Sequence, residues 1–198
     1  MMLVVIPSAD AQEQGVDRPA VRVGDTWVYA DAVGPRVLTY VVTAAGPDGY
    51  QLKETNNAGG RGSIVKYDSD GNLMERGGRQ FSPKKDVFRF PLKAGMTYTG
   101  TEYEFQHSRK PDVTVKSHVI VKSVTPETIS VKAGTFAAMK IETEMLYRLS
   151  TGYSNSMVET YWYVPAVGRW VKFKSIDYGL PSASRTEEME LVEFKRAQ

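Results

Sequence analysis

From Val113 to Lys122 the side chains alternate between apolar and polar, and that period of two restricts what the segment can become. Val113, Val115, Val119 and Val121 fall on one side, with Thr114, Lys116, His118 and Lys122 on the other. A helix would scatter both sets around its circumference, whereas a strand gives one dry face and one wet face. The same division recurs further on: Met139, Ile141, Met145, Tyr147 and Leu149 oppose Lys140, Glu142, Glu144 and Arg148. Two long strands are therefore predicted, and no sustained helical period appears elsewhere. Turn chemistry separates the remaining runs. Gly46-Pro47-Asp48-Gly49 and Asp68-Ser69-Asp70-Gly71-Asn72 each lie between two strand-like stretches, the layout of hairpins. Thr125-Pro126-Glu127 and Ala133-Gly134-Thr135 are read as further turns, and Gly95 and Gly134 as glycines that need a positive φ.

The most aromatic stretch is Tyr161-Trp162-Tyr163-Val164, which returns through Pro165 and Gly168 into Trp170 to Ile176. Both of its faces carry large groups, so this hairpin is expected to be central and covered on both sides. The glutamates between Thr186 and Arg196 favour a helix by propensity, yet Met189, Leu191 and Phe194 suit a strand, and a final strand is the expectation. Short connections imply antiparallel neighbours. A twisted sheet of about ten or more strands curls, splits or closes. The predicted fold is all-β: a single highly curved antiparallel sheet forming a half-barrel or open barrel, with few or no helices.

Composition narrows the function classes. The 198 residues have room for one domain and include no cysteine, which removes disulfides, thiolate nucleophiles and cysteine-ligated metals. Twenty-five basic against twenty-three acidic residues leave a net charge of +2, too little for a phosphate-tracking surface. The opening apolar run ends in Ala9-x-Ala11, the small-residue pattern at which a signal peptidase cuts before Gln12. Residues 1–19 are accordingly read as a signal-peptide remnant and flexible tail, and residues 20–198 as a single β domain. No other stretch approaches the length of an apolar membrane span.

Gly24-Asp25-Thr26-Trp27-Val28-Tyr29, Pro91-Leu92-Lys93-Ala94-Gly95, Val131-Lys132-Ala133-Gly134-Thr135-Phe136 and Thr160-Tyr161-Trp162-Tyr163-Val164-Pro165 occur in that order. Together they resemble an exported bacterial β-domain family of unknown function, the TapB-like proteins. The resemblance spans roughly residues 20 to 195, apart from Tyr98, near which the family often places tryptophan. It implies a periplasmic or secreted antiparallel protein, distantly similar in architecture to the curved sheets of LolA-like lipoprotein carriers. It brings no catalytic residues.

Few residues are spaced for chemistry. His107 and His118 belong to no metal-ligand spacing, and His118 lies on a polar strand face. Asp68-x-Asp70-Gly71-Asn72 imitates a calcium loop, but the required twelfth-position glutamate is replaced by Arg79. Glu102 and Glu104 share a strand face, most simply a solvated one. Lys84-Lys85, Arg109-Lys110 and Lys172-Lys174 beside Arg169 and Trp170 could form a basic stripe, yet acidic residues are interspersed. The expectation is a non-enzymatic periplasmic or secreted binding protein, with no cofactor, metal or nucleic acid, carrying a lipid or other apolar ligand in a concave sheet. Its candidate ligand-binding residues are Trp27, Met139, Met145, Tyr161, Trp162, Tyr163 and Trp170. The alternative is a structural or protein-interaction module of the cell envelope with no small-molecule ligand.

Overall fold

The computed structural model describes residues 15–59, 61–179 and 185–197. Among them every regular element is a strand. The first strands are β1 (Thr26–Asp31), β2 (Val37–Gly46), β3 (Gly49–Asn56) and β4 (Ser63–Asp68), followed by β5 (Leu73–Arg76) and β6 (Arg79–Lys85). A longer connection holds the short β7 (Tyr98–Thr99) and leads into β8 (Tyr103–His107). The second half contains β9 (Lys110–Val131), β10 (Gly134–Leu149), β11 (Ser154–Val164), β12 (Arg169–Asp177) and β13 (Arg185–Lys195). The predicted alternation is realised: Val113, Val115, Val119 and Val121 are buried on β9, as are Met139, Ile141 and Met145 on β10. Lys140, Glu142 and Glu144 point outward, giving β10 a charged outer face unlike the apolar band of membrane barrels.

The half-barrel or open barrel expected from sequence is corrected to a closed one. Each strand from β1 to β5 pairs antiparallel with the next, β13 returns to β1, and β10 to β13 continue the same ladder. β9 completes the ring by pairing with β10 along most of its length and with β8 on its other side. Twelve strands make the wall, and β7 is attached to β9 at Tyr98 and Thr99. One seam is thin: β8 meets β6 through the single pair Ser82↔Glu104. Curling follows from strand number and twist, but closure depends on pairings such as Thr26↔Lys195, between opposite ends of the chain, which local patterning does not encode.

A second correction concerns Thr125-Pro126-Glu127, which continues β9 instead of turning. Pro126 lies opposite Met139 on β10, at a point where β9 is laddered on that side only, so its missing N–H costs no second bond. Lys122 is the extra residue of a bulge opposite Glu142 and Thr143, which keeps both halves of the long strand in register with one partner. Past Met139, β9 and β10 run on as a two-stranded ribbon. Its tip is tied back by the Ala133 N–H to the Leu191 carbonyl at 3.0 Å, and Phe136 packs edge-on against Phe194.

The predicted hairpins and the final strand form as read. Gly49 adopts φ +144°, and a Cβ there would overlap the Tyr67 carbonyl oxygen, so the turn into β3 requires glycine. Gly95 and Gly134 also have positive φ. Within the Asp68 to Asn72 turn, Asp68 Oδ1 accepts from the Asp70 and Asn72 amides. Asn72, 1 % exposed, accepts from the Val87 and Phe88 amides at 2.7 Å and donates to the Phe88 carbonyl at 2.8 Å. Asn72→Ala leaves two buried amides and a carbonyl without partners. It is expected to lower unfolding free energy by about 2–3 kcal/mol, read from the midpoint shift in urea.

The apolar leader and its Ala9-x-Ala11 pattern lie outside the described residues. From Val16 onward the chain is docked: Val16 exchanges both backbone hydrogen bonds with Leu92, and the Asp17 carbonyl accepts from the Tyr163 hydroxyl. This lead-in brings Pro19 against the barrel interior. Apolar side chains fill the interior in two clusters, one around Trp27, Tyr29 and Leu191 and the other around Phe88, Val119 and Ile141. A space remains between them.

Candidate functional site

That space is a cavity of about 480 Å³, within the range of small-ligand pockets. It reaches solvent beside β5 and β6, where Arg76 lines it with a side chain 46 % exposed. Its walls differ in chemistry. One part is apolar and aromatic, built from Phe81, Phe88, Phe105, Met145, Met157 and Phe173. Phe88 meets Tyr161 edge-on at 5.5 Å, and Phe81 lies 4.9 Å from Phe105, ring arrangements that fix a firm lining.

A buried ion pair stands on this wall. Lys85 Nζ is 2.6 Å from Glu159 Oε1, and the Tyr161 hydroxyl donates to Glu159 Oε2 at 2.8 Å. Burial alone would depress the Lys85 ammonium pKa, but the facing Glu159 carboxylate outweighs it and raises the value. Burial likewise raises the Tyr161 and Tyr103 phenols, so both stay protonated near neutrality. Tyr103 directs its hydroxyl at the Met145 sulfur, 3.0 Å away.

The opposite wall is built by β2 to β4, each of which supplies a tyrosine, Tyr40, Tyr50 and Tyr67, with Tyr29 of β1 fully buried behind it. Tyr50 and Tyr67 are register partners with rings stacked at 5.2 Å. Arg169, the first residue of β12, enters among these rings. Its Cζ lies 4.7 Å from the Tyr40 centroid, 5.1 Å from Tyr67, 5.4 Å from Trp170 and 5.6 Å from Trp27. Among the described residues its side chain forms one hydrogen bond, from Nη2 to the Tyr67 hydroxyl at 3.1 Å, and the buried Nε has no acceptor.

Of the seven residues proposed from sequence, Met145, Tyr161, Tyr163 and Trp170 line the cavity. Trp27 is buried behind it, under Arg169, with its indole N–H on the Val167 carbonyl. Met139 belongs to the packed cluster around Phe88. Trp162 points to the other face of β11, where Lys172 covers it and Glu127 accepts its N–H at 3.2 Å. Arg169, the tyrosine row, Lys85 and Glu159 were not foreseen as a site. The basic stripe considered from sequence is dispersed: Lys84 pairs with Asp68, Lys85 with Glu159 and Lys172 with Glu188 and Glu190, while Arg169 is internal. Glu102 and Glu104 are exposed, and His107 ends β8 with its Nδ1 accepting from the Arg109 amide. Among the described residues no group of His, Asp or Glu is placed to hold a metal ion.

No protein-family model matches the chain, and no curated protein does either. The resemblance to the TapB-like family therefore rests on its motifs alone. Solved structures do match. A protein from Parabacteroides distasonis described as a lipoprotein aligns with a TM-score of 0.52 at 16 % identity, over 91 % of this chain and 99 % of that one. A Bacteroides fragilis protein described as exported and as having a YmcC-like fold aligns with a TM-score of 0.50 at 17 % identity, over 92 % and 100 % of the two chains. The fold is YmcC-like. At these identities the likeness speaks for the barrel architecture and not for the residues inside it. Among the described residues no helix is long and apolar enough to cross a membrane.

Proposed function

We propose that this YmcC-like barrel is an exported, non-catalytic binding protein that holds a lipid or other apolar molecule inside the barrel. The observation that carries the reading is the cavity of about 480 Å³, lined by aromatic and methionine side chains and reaching solvent beside Arg76. An apolar surface that the chain does not fill with its own side chains favours an apolar occupant, and methionines such as Met145 and Met157 adapt to its shape. Non-catalytic action is supported by the chemistry of the lining. The nearest thing to an acid–base couple, Lys85 and Glu159, is locked in a mutual ion pair with Tyr161. An exported location is supported by the leader pattern and by the descriptions of the structural neighbours as an exported protein and a lipoprotein. The rival reading, an envelope docking module without a small ligand, has less surface to work with, because closure of the ring removes most free sheet edge.

Native mass spectrometry of protein purified from its host is expected to show a co-purified apolar molecule. Met157→Trp, which pushes an indole into the space, should lose it while keeping the far-ultraviolet circular dichroism of the parent. A parent that carries nothing and takes up no apolar fluorescent probe would favour the docking module.

A further inference from the structure

We infer that Arg169 is the head-group subsite of this cavity, and that the ligand is an amphiphile whose single anionic group, a carboxylate or a phosphate, is held by the guanidinium while its apolar body lies against the phenylalanine and methionine wall. The inference deepens the binding-protein reading and rests on it. Its starting point is a charge without a counter-ion. Arg169 is 5 % exposed and lines the cavity, yet among the described residues no carboxylate lies within salt-bridge distance of it. Its neighbours are rings. Tyr67 takes one N–H, the faces of Tyr40, Trp27 and Trp170 surround Cζ, and Nε–H has no acceptor. Burial raises the Tyr29, Tyr40 and Tyr50 phenols, so they remain neutral and cannot supply the missing negative charge.

Among the described residues the other charged groups at the cavity, Arg79 apart, have ionic partners. Lys85 faces Glu159, Arg76 faces Glu54, and Glu187 faces Arg36. Asp70, whose Oδ1 makes no hydrogen bond, has the Arg18 guanidinium 3.4 Å away. Arg79 rests over Phe81 and Phe105 where the wall is half-exposed. Arg169 is thus the enclosed cation left for an incoming anion. A guanidinium binds planar carboxylates and tetrahedral phosphates through paired N–H groups, and an unpaired buried cation is costly enough that an anionic guest is strongly favoured over a neutral one. The Tyr40, Tyr50 and Tyr67 hydroxyls line the same space and offer additional donors, whereas that of Tyr29 is already spent on the Trp170 carbonyl.

The test uses the whole chain and three amphiphiles with the same twelve-carbon body: dodecanoate, dodecyl phosphate and dodecanol. Each competes with the neutral fluorophore N-phenyl-1-naphthylamine for the cavity. The parent is expected to bind an anionic amphiphile at least tenfold more tightly than dodecanol. The stronger of the two anions then distinguishes a free acid from a phosphorylated lipid. Arg169→Met should bind dodecanol undiminished and lose the preference, whereas Arg169→Lys should keep part of it. Equal binding of acid, phosphate and alcohol by the parent would overturn the head-group assignment and leave the binding-protein reading standing, and this comparison requires no variant to fold. Failure of all three amphiphiles and the fluorophore to bind would overturn both.

Discussion

Glu159→Ala is expected to lower the unfolding free energy by about 3–5 kcal/mol, because it leaves the Lys85 ammonium buried without its partner. The side chains of the pair are 14 % and 5 % exposed, with Nζ and Oε1 separated by 2.6 Å, and the Tyr161 hydroxyl would lose its acceptor as well. The double replacement Lys85→Met with Glu159→Leu should recover most of the loss, since an apolar pair of similar volume restores the contacts without a desolvated charge. Urea unfolding of the parent, the single variant and the double variant provides the comparison. The direction of the Lys85 shift adds a pH condition. A raised lysine pKa contributes stability that is fully present below its unfolded value of about 10.4 and is lost only as pH rises through the higher folded value. The difference between parent and double variant should therefore stay flat from about pH 6 to about pH 9. A slope inside that window would contradict the assigned pair.

The second large effect is expected at Asp25, and it has the opposite pH dependence. This carboxylate is fully buried and accepts from the Arg22 amide at 3.0 Å, the Ala197 amide at 2.8 Å and Arg196 Nη1 at 2.8 Å. It therefore ties the lead into β1 to the segment that follows β13. Burial alone would raise its pKa, but the backbone N–H groups of Ala197 and Arg22, with the Arg196 guanidinium, together outweigh that and hold it below the ordinary value. Asp25→Ala is expected to cost about 3 kcal/mol at neutral pH, from charge-assisted bonds lost and donors left unpaired. A lowered carboxyl pKa contributes stability that is present above the unfolded value of about 3.9 and is lost as pH falls through the folded value. The gap between parent and Asp25→Ala should hold from neutrality down to about pH 4 and shrink below it. A gap that widens in acid would refute the assignment.

Much of this architecture is legible in the residues, and the illegible parts share a cause. The apolar faces of β9 and β10 follow from their alternation, and the hairpins at Gly46 to Gly49 and Asp68 to Asn72 follow from turn chemistry, because each is decided by neighbours in sequence. Closure of the ring is not, since Thr26 meets Lys195 and Ser117 meets both Tyr103 and Tyr147 only after the intervening strands have set their stagger. Pro126 is misleading for a similar reason: a proline reads as a turn until the far side of its strand is known to be unladdered. The candidate site is half legible. Aromatic density points to Tyr161, Tyr163 and Trp170, but which residue of an aromatic strand faces inward depends on register, and Trp162 faces the other way under Lys172. Arg169 looks like a surface cation beside a tryptophan. The available signal was the recurrence of tyrosine, one in each of the first four strands, which places a row of hydroxyls and ring faces across one side of a curled sheet.

The single bridge between Ser82 and Glu104 gives the wall an uneven resistance to breathing. Between the other neighbours of the twelve-stranded wall several ladder pairs must part together, whereas here the backbone contributes one bridge and side chains such as Phe81 against Phe105 hold the seam. Phe81 and Phe105 stand next to this join and also line the interior. Local fluctuation would thus uncover the greasy lumen at this point first, through a slit that opens and shuts while the remainder of the barrel stays intact.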